Sequence, residues 1–147
     1  MAERPFLSAA FLCEKVLQEK DEVLTAVRIV DMLFVSIPAN MPSDAKPMIQ
    51  ATALVAFKKA SPGTEAEMHQ VALRVCTPSG RQLPPLMADI VFKPVDQLSG
   101  FNLIGNLNIG VEEFGLFWLD VLLDNELMTR IPFRLLEKLE NPPKTIH

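Results

Sequence analysis

Few side chains of this chain have the type and spacing needed for chemistry. Only two histidines are present, one of them at the C-terminus, so a metal site or a triad would have to be built around His69. The carboxylate pairs Asp120 with Asp124 and Glu112 with Glu113 could act as acid and base only if their surroundings separated their pKa values. Neighbours on an extended chain point to opposite sides, so Glu112 and Glu113 are interpreted as solvated turn residues. We therefore predict no catalytic residues, no metal site and no cofactor.

One polar repeat is dense enough to consider for binding. Its residues are Asn102, Asn106 and Asn108 with Gly100, Gly105 and Gly110. Glycine and asparagine at this density are typical of a bulged or bent strand. The alternative is a rim of amides that hydrogen-bonds a small ligand or a peptide edge. On that alternative the protein is a small-ligand-binding protein or a weakly signalled hydrolase that uses the Asn102–Asn108 strand and Asp120. A pocket holding Asp120 beside His69 would favour it.

Composition indicates a globular protein. The 147 residues fit one domain, and 49% hydrophobic with 22% charged residues is a folded rather than a disordered balance. Fourteen Lys and Arg against eighteen Asp and Glu give a net charge of −4, which argues against nucleic acid as a partner. Cys13 and Cys76 are far apart in apolar segments and are expected to be buried and reduced. No signal peptide and no membrane span is recognisable, so a cytoplasmic location is expected.

Strand patterns dominate the chain. Alternating apolar and polar residues recur every ten to fifteen positions between turn signals, which predicts an all-β fold, an antiparallel β-sandwich of seven or eight strands with immunoglobulin-like or related topology. Residues 5–18 fit either a helix or a strand buried on both sides, residues 23–37 a single strand, and residues 83–95, interrupted by prolines, an edge strand. The predicted domain covers residues 1–137, and residues 138–147 form a flexible, proline-containing tail.

The segment Gly115 to Phe133 predicts a closing β-hairpin. A three-residue loop, Asp124 to Glu126, would place the apolar odd-numbered positions of both strands on one face. A two-residue Asp124-Asn125 turn also suits the local chemistry, but it would set those positions beside Glu126, Met128 and Arg130. The three-residue loop is preferred on this pattern.

Several motifs resemble a family of small bacterial proteins known as a domain of unknown function. They are Ala10-Phe11-Leu12-Cys13-Glu14, Val75-Cys76-Thr77-Pro78-Ser79-Gly80, Gly115-Leu116-Phe117-Trp118-Leu119-Asp120-Val121 and Ile131-Pro132-Phe133-Arg134-Leu135. The resemblance extends up to Leu136. It implies a β-sandwich, a strand for residues 5–18 and a bacterial source, and it carries over no catalytic residues. The chain departs from the family at the first turn, with Glu19 to Glu22, and at the last, with Asp124-Asn125.

The outer face of the closing hairpin is the candidate interaction surface. Its residues are Leu116, Trp118, Leu122, Met128, Arg130 and Arg134. Large apolar side chains outside the main core gain about 1.5–3 kcal/mol each on being covered, and methionine and arginine are common at interfaces. We therefore expect a non-catalytic protein-interaction or assembly module of a bacterial multi-component system, bound to a protein partner or to itself as a homo-oligomer, with no nucleic acid and no membrane.

Overall fold

The computed structural model describes residues 4–21, 23–38, 40–42, 44–59, 65–93 and 99–138. Within these ranges the chain forms β-strands and no helix. In chain order the strands are β1 Phe6–Gln18, β2 Leu24–Ile29, β3 Met32–Ser36, β4 Met48–Lys59, β5 Glu67–Cys76, β6 Leu86–Phe92, β7 Ser99–Gly110, β8 Gly115–Leu123 and β9 Glu126–Lys138. The all-β prediction is confirmed, and the segment 5–18 forms a strand, Phe6–Gln18. The strand is not buried on both sides, because only Leu12 and Cys13 of it are buried.

The strands form two sheets in a sandwich-like arrangement. One sheet has the order β2-β1-β4-β7 and the other the order β3-β9-β8-β5-β6. Two details of the prediction are wrong. The described residues form nine strands instead of seven or eight, and β3 pairs with β9 in parallel, so the second sheet is not wholly antiparallel.

The extra strand arises because residues 23–37 do not form one strand. The chain leaves the first sheet after Ile29 and joins the second at Met32, so only Val30 and Asp31 connect β2 to β3. The Val30 amide donates to the Leu12 carbonyl of β1, and the Arg134 amide of β9 donates to the Asp31 carbonyl. Each sheet therefore holds one side of the crossing, which a local β-forming pattern does not reveal.

The core lies between the inner faces of the two sheets. Alternate residues of the long strands point inward, and the aromatic pair Phe117 and Phe133, cross-strand partners on β8 and β9, stack with centroids 5.4 Å apart. Gly105 on β7 also faces inward. A Cβ at this position would lie 2.6 Å from Leu73 Cδ1 and 3.2 Å from Leu86 Cδ2, so the opposite sheet approaches this backbone closely.

The loop of the closing hairpin has two residues, Asp124 and Asn125, and not the three that were predicted. Asp124 and Asn125 both have positive φ, 49° and 67°, and Leu123 pairs with Glu126, which is the two-residue primed turn that fits the twist of paired strands. The register then shifts between Val121 and Leu122, and Val121 pairs with Thr129. One extra residue on β9, Met128, thus restores the pairing that a three-residue loop would have produced. The predicted register is correct beyond the bulge, although the loop is not.

Other expectations concern the ends and edges of the chain. The proline-flanked β6 is an edge strand, as predicted, since β5 is its one partner among the strands that the structure describes. Lys138 is the last residue of β9, and positions 139–147 of the expected tail lie outside the described residues. Across the described ranges, none of the secondary structure is a helix with the length and apolarity to cross a bilayer.

Candidate functional site

The outer face of the five-stranded sheet consists of rows of side chains that run across the strands. Because side chains alternate along each strand and partners stand opposite one another, residues paired in register share a row. The central rows are Met87-Ala72-Leu122-Leu127, Arg74-Asp120-Arg130, Cys76-Trp118-Pro132, Leu116-Arg134-Met32 and Leu136-Phe34. Polar rows flank them, Gln70-Asp89 at one end and Ser36-Lys138 at the other. The centre of the face therefore has one row with an internal ion pair, and most of the rows beside it are apolar. We call this surface the outer face below.

The ionic row is centred on Asp120 of β8. Arg74 Nη2 on β5 donates to Asp120 Oδ2 over 2.9 Å, and Arg130 Nε on β9 donates to Asp120 Oδ1 over 2.7 Å. The Cys76 thiol donates to Asp120 Oδ2 over 3.4 Å. The Asp120 side chain is only 4% exposed, whereas those of Arg74 and Arg130 are 28% and 44% exposed. The carboxylate is thus covered by the two arginines that neutralise it.

Hydrogen bonding keeps Asp120 ionised despite its burial. Burial by itself would raise the pKa of this carboxyl, but the bonds from Arg130, Arg74 and Cys76 outweigh it, and the pKa is lowered. Burial is also the main cause of the raised pKa of the Cys76 thiol, and the negative charge of Asp120 adds to it. Both carboxylate oxygens of Asp120 accept hydrogen bonds, and the two arginine cations disfavour its protonation. The arrangement suits a structural anion rather than a general acid or base.

An open depression of about 570 Å³ lies over this row. Arg130 lies across the ring of Trp118, with its guanidinium carbon 4.6 Å from the ring centroid, which is a cation–π contact. The depression is lined by Arg74, Cys76, Thr77, Pro78, Gly80, Gln82, Leu116, Trp118, Asp120, Leu127 and Arg130. It therefore combines two arginines and an aromatic ring with apolar walls.

The structure brings together part of the interaction set expected from the sequence. Leu116, Trp118 and Arg130 line the depression. Leu122 is half-buried in the next row, and Arg134 lines a second hollow of about 340 Å³ together with Leu116.

Met128 does not belong to the outer face, because it packs against the hydrophobic core. The bulge at this residue reverses the side to which it points, and Leu127, 49% exposed, takes the outer position opposite Leu122. Sequence reasoning missed Leu127 and Arg74. The Asp124-Asn125 turn signal, combined with a bulge, would have identified Leu127.

His69 lies in a different cluster from Asp120. Its Nδ1 contacts Asp124 Oδ2 at 2.6 Å and its Nε2 contacts Glu67 Oε2 at 3.4 Å. Five positions along β5 separate it from Arg74, the partner of Asp120, which amounts to roughly 16 Å. The Gln70 amide also donates to Asp124 Oδ1, and hydrogen bonds from His69 and this amide lower the pKa of Asp124. His69 thus anchors the β8–β9 turn to the start of β5.

The asparagine-rich strand belongs to the other sheet. Asn102, Asn106 and Asn108 are exposed on β7, and their pairing with β4 continues from Ser99 to Gly110 without a register shift. The expected bulge is therefore absent from β7. Its glycine at position 105 is explained by the close approach of the opposite sheet. The asparagine amides and Asp120 lie on opposite outer faces of the molecule, so the structure does not bring them together.

The remaining candidate groups have structural partners. Glu112 pairs with Lys46 and Arg81, and Glu113 accepts hydrogen bonds from the Ser79 amide and hydroxyl, so both hold the loop before β8. Within the part of the chain that the structure describes, no group of three His, Cys, Asp or Glu side chains is placed to hold a metal ion. Both cysteines are buried and free.

Comparison with known proteins adds a family without an assigned activity. Residues 8–136 match the family of unknown function DUF6941. No curated protein matches the chain.

Proposed function

Since the chain belongs to that family, whose description names no activity, we propose from the geometry that it is a non-catalytic protein-interaction module that uses its outer face. The observation that carries this proposal is the mostly apolar set of rows on either side of the Arg74-Asp120-Arg130 row. Tryptophan, methionine and arginine, all present on this face, are enriched at protein interfaces.

Exposure of large side chains on this face supports the proposal. Phe34 is 61% exposed, Leu127 49%, Met87 46% and Met32 43%. Phe34 and Met32 are on the edge strand β3, Met87 is on the opposite edge strand β6, and Leu127 lies beside the β8–β9 turn. The half-buried Leu116, Trp118 and Leu122 lie between them, so apolar side chains are found across the whole width of the sheet. No other described element covers them. A protein partner or a second copy of the chain would remove this surface from water.

Two further proposals rest on the sequence alone. We propose that the protein is located in the cytoplasm of a bacterium and that it is an assembly module of a multi-component system. We also infer an immunoglobulin-like topology, because β9, β8, β5 and β6 follow one another in the order of the G, F, C and C′ strands of variable domains, and β1, β4 and β7 in the order of A, B and E. The hallmark tryptophan does not lie on the strand that corresponds to C, since Trp118 is on β8.

The test is the effect of a buried charge on association. Trp118→Glu and Leu127→Glu place a carboxylate in the outer face, and the matched control Ile104→Glu places one on the outer face of the other sheet, where Ile104 is 39% exposed. Molar mass by light scattering over a range of protein concentrations is measured for each, together with the thermal midpoint. We expect the unaltered chain and the control to associate, and both outer-face variants to be monomeric with little change in midpoint.

A monomeric unaltered chain that captures no partner, together with collapse of the Trp118→Glu fold, would show that Trp118 is a core residue. The proposed function would then be wrong. The milder Leu127→Glu variant separates the two explanations, because a residue that is half exposed can accept a charge without unfolding the protein.

A further inference from the structure

We propose that the depression over the ionic row binds the side-chain carboxylate of an aspartate or glutamate of a protein partner. Arg74 and Arg130 would donate to the carboxylate, while Trp118 and Leu127 would contact the apolar residues beside it. This inference rests on the proposed function and names the chemistry of the group that its interface recognises.

The first argument is charge. The row contains two guanidinium groups and one carboxylate, so it carries one surplus positive charge. Asp120 uses Arg74 Nη2 and Arg130 Nε, and the other guanidinium donors have no protein acceptor among the residues that the structure describes. One of them, Arg74 Nε, is buried. A single incoming carboxylate would neutralise the surplus charge and accept hydrogen bonds from the donors other than the buried Arg74 Nε.

The second argument is that the donors are already positioned. Arg130 is held from one side by Asp120 and from the other by the ring of Trp118. A guanidinium fixed in this way loses little conformational freedom when it binds an anion, and its planar fork matches the two oxygens of a carboxylate. Arg134, on the same face, has no ion pair among the described residues and does not line the depression. It therefore serves as an internal comparison.

The third argument is the surroundings of the charge. A volume of about 570 Å³ is much larger than a carboxylate, and its walls include Leu116, Trp118 and Leu127. The depression is also open and lies within an apolar sheet face, which suits a side chain that projects from a protein surface. An acidic residue flanked by apolar ones satisfies both the arginines and the walls, whereas a lysine would meet the surplus positive charge.

The experiment compares two short peptides that differ only in charge. Acetyl-Leu-Glu-Leu-amide and acetyl-Leu-Gln-Leu-amide are titrated into the full chain at concentrations where light scattering gives the monomer. The fluorescence of Trp118 is the readout, because it is the only tryptophan in the chain and borders the depression. We expect the glutamate peptide to bind about tenfold more tightly, the ratio that one charge-assisted hydrogen bond typically provides.

Two variants assign the preference to the site. Arg130→Gln removes the surplus charge while Arg74 still neutralises Asp120, and it should bring the two affinities within about twofold of one another. Arg134→Gln makes the same change outside the depression and should retain the preference. If Arg130→Gln does not fold, the inference is tested by the salt dependence of the preference that the unaltered chain shows for the glutamate peptide. The preference should fall several-fold between 0.05 and 0.5 M NaCl, because salt screens an open ionic contact.

Equal binding of the two peptides, or a preference that survives both Arg130→Gln and high salt, would overturn the inference. So would binding of vesicles containing anionic lipid with no preference between the peptides, since this would assign the face to a lipid surface. If the outer-face variants abolish association while the peptides bind equally, the proposed function stands and only the carboxylate inference fails.

Discussion

Gly105→Ala is expected to destabilise the protein, although alanine is normally favoured over glycine within a strand. The added Cβ would lie 2.6 Å from Leu73 Cδ1, about 1 Å closer than the usual separation of two carbon atoms in contact. Leu73 is 2% exposed and can move only into packed core, whereas Leu86, at 39%, can turn towards solvent. Overpacking of this kind costs about 1–3 kcal/mol, and the stiffer unfolded chain returns about 0.4–1 kcal/mol.

The free energy of unfolding should therefore fall by about 1–2 kcal/mol, and the thermal midpoint by about 2–8 °C for a domain of this size. Urea unfolding followed by the fluorescence of Trp118 measures the first quantity. Gly100→Ala is the matched control, because its Cβ would meet only Phe57 O at 3.4 Å and Lys58 Cγ at 3.8 Å. The change there should be within about 0.5 kcal/mol.

A double-mutant cycle identifies the atom responsible. Leu73→Val shortens the side chain that clashes, so Leu73→Val with Gly105→Ala should cost less than the sum of the two single changes. Additive effects, or a Gly105→Ala variant as stable as the unaltered protein, would refute the close approach of the sheets at this point.

The remaining predictions concern buried ionisable groups. Asp120→Asn should lower the free energy of unfolding by about 1–3 kcal/mol in urea titration, because it removes the charge that two half-exposed arginines share, while Asp89→Asn at an exposed position should have little effect. Because the pKa of Asp120 is lowered in the folded state, its contribution to the free energy of unfolding is present at neutral pH and is lost as the pH falls below about 4. The free energy of unfolding should therefore fall less steeply with decreasing pH in Asp120→Asn than in the unaltered protein. Equal pH dependence of the two proteins would contradict this. Cys13 and Cys76 are buried and their pKa values are raised by burial, so a thiol reagent should titrate two groups only after denaturation, and a disulfide in freshly purified protein would contradict this.

The strands could be predicted from local alternation, but their partners could not. The pattern of residues 23–37 is continuous, and nothing in it marks Val30 and Asp31 as the place where the chain changes sheets. Two backbone hydrogen bonds hold the crossing, one between Val30 and Leu12 of β1 and one between Asp31 and Arg134 of β9. Both partners are distant in sequence from residues 23–37. For the same reason the parallel pairing of β3 with β9 could not be foreseen.

The positions in the candidate site that depend on one strand could be predicted, whereas those that depend on the pairing of two strands could not. Trp118 and Leu116 were placed on the outer face because a strand alternates strictly, and β8 has no irregularity between them. Arg74 joins Asp120 through the register between β5 and β8, which the sequence of either strand leaves undetermined. Met128 and Leu127 exchanged roles because one bulge reverses the side of every residue between it and the turn.

The parallel pairing of β3 with β9 also has a consequence for the order of synthesis. Met32 pairs with Arg134 and Ser36 with Lys138, so about a hundred residues must be translated after β3 before its partner exists. At about 5–20 residues per second, β3 waits roughly 5–20 s on the ribosome with Phe34 and its neighbours unpaired. Contacts so distant in sequence also form slowly. This separation in sequence is the longest among the described strand pairs, so we expect β3 to remain available for the longest time to aggregation or to a chaperone that binds short apolar segments.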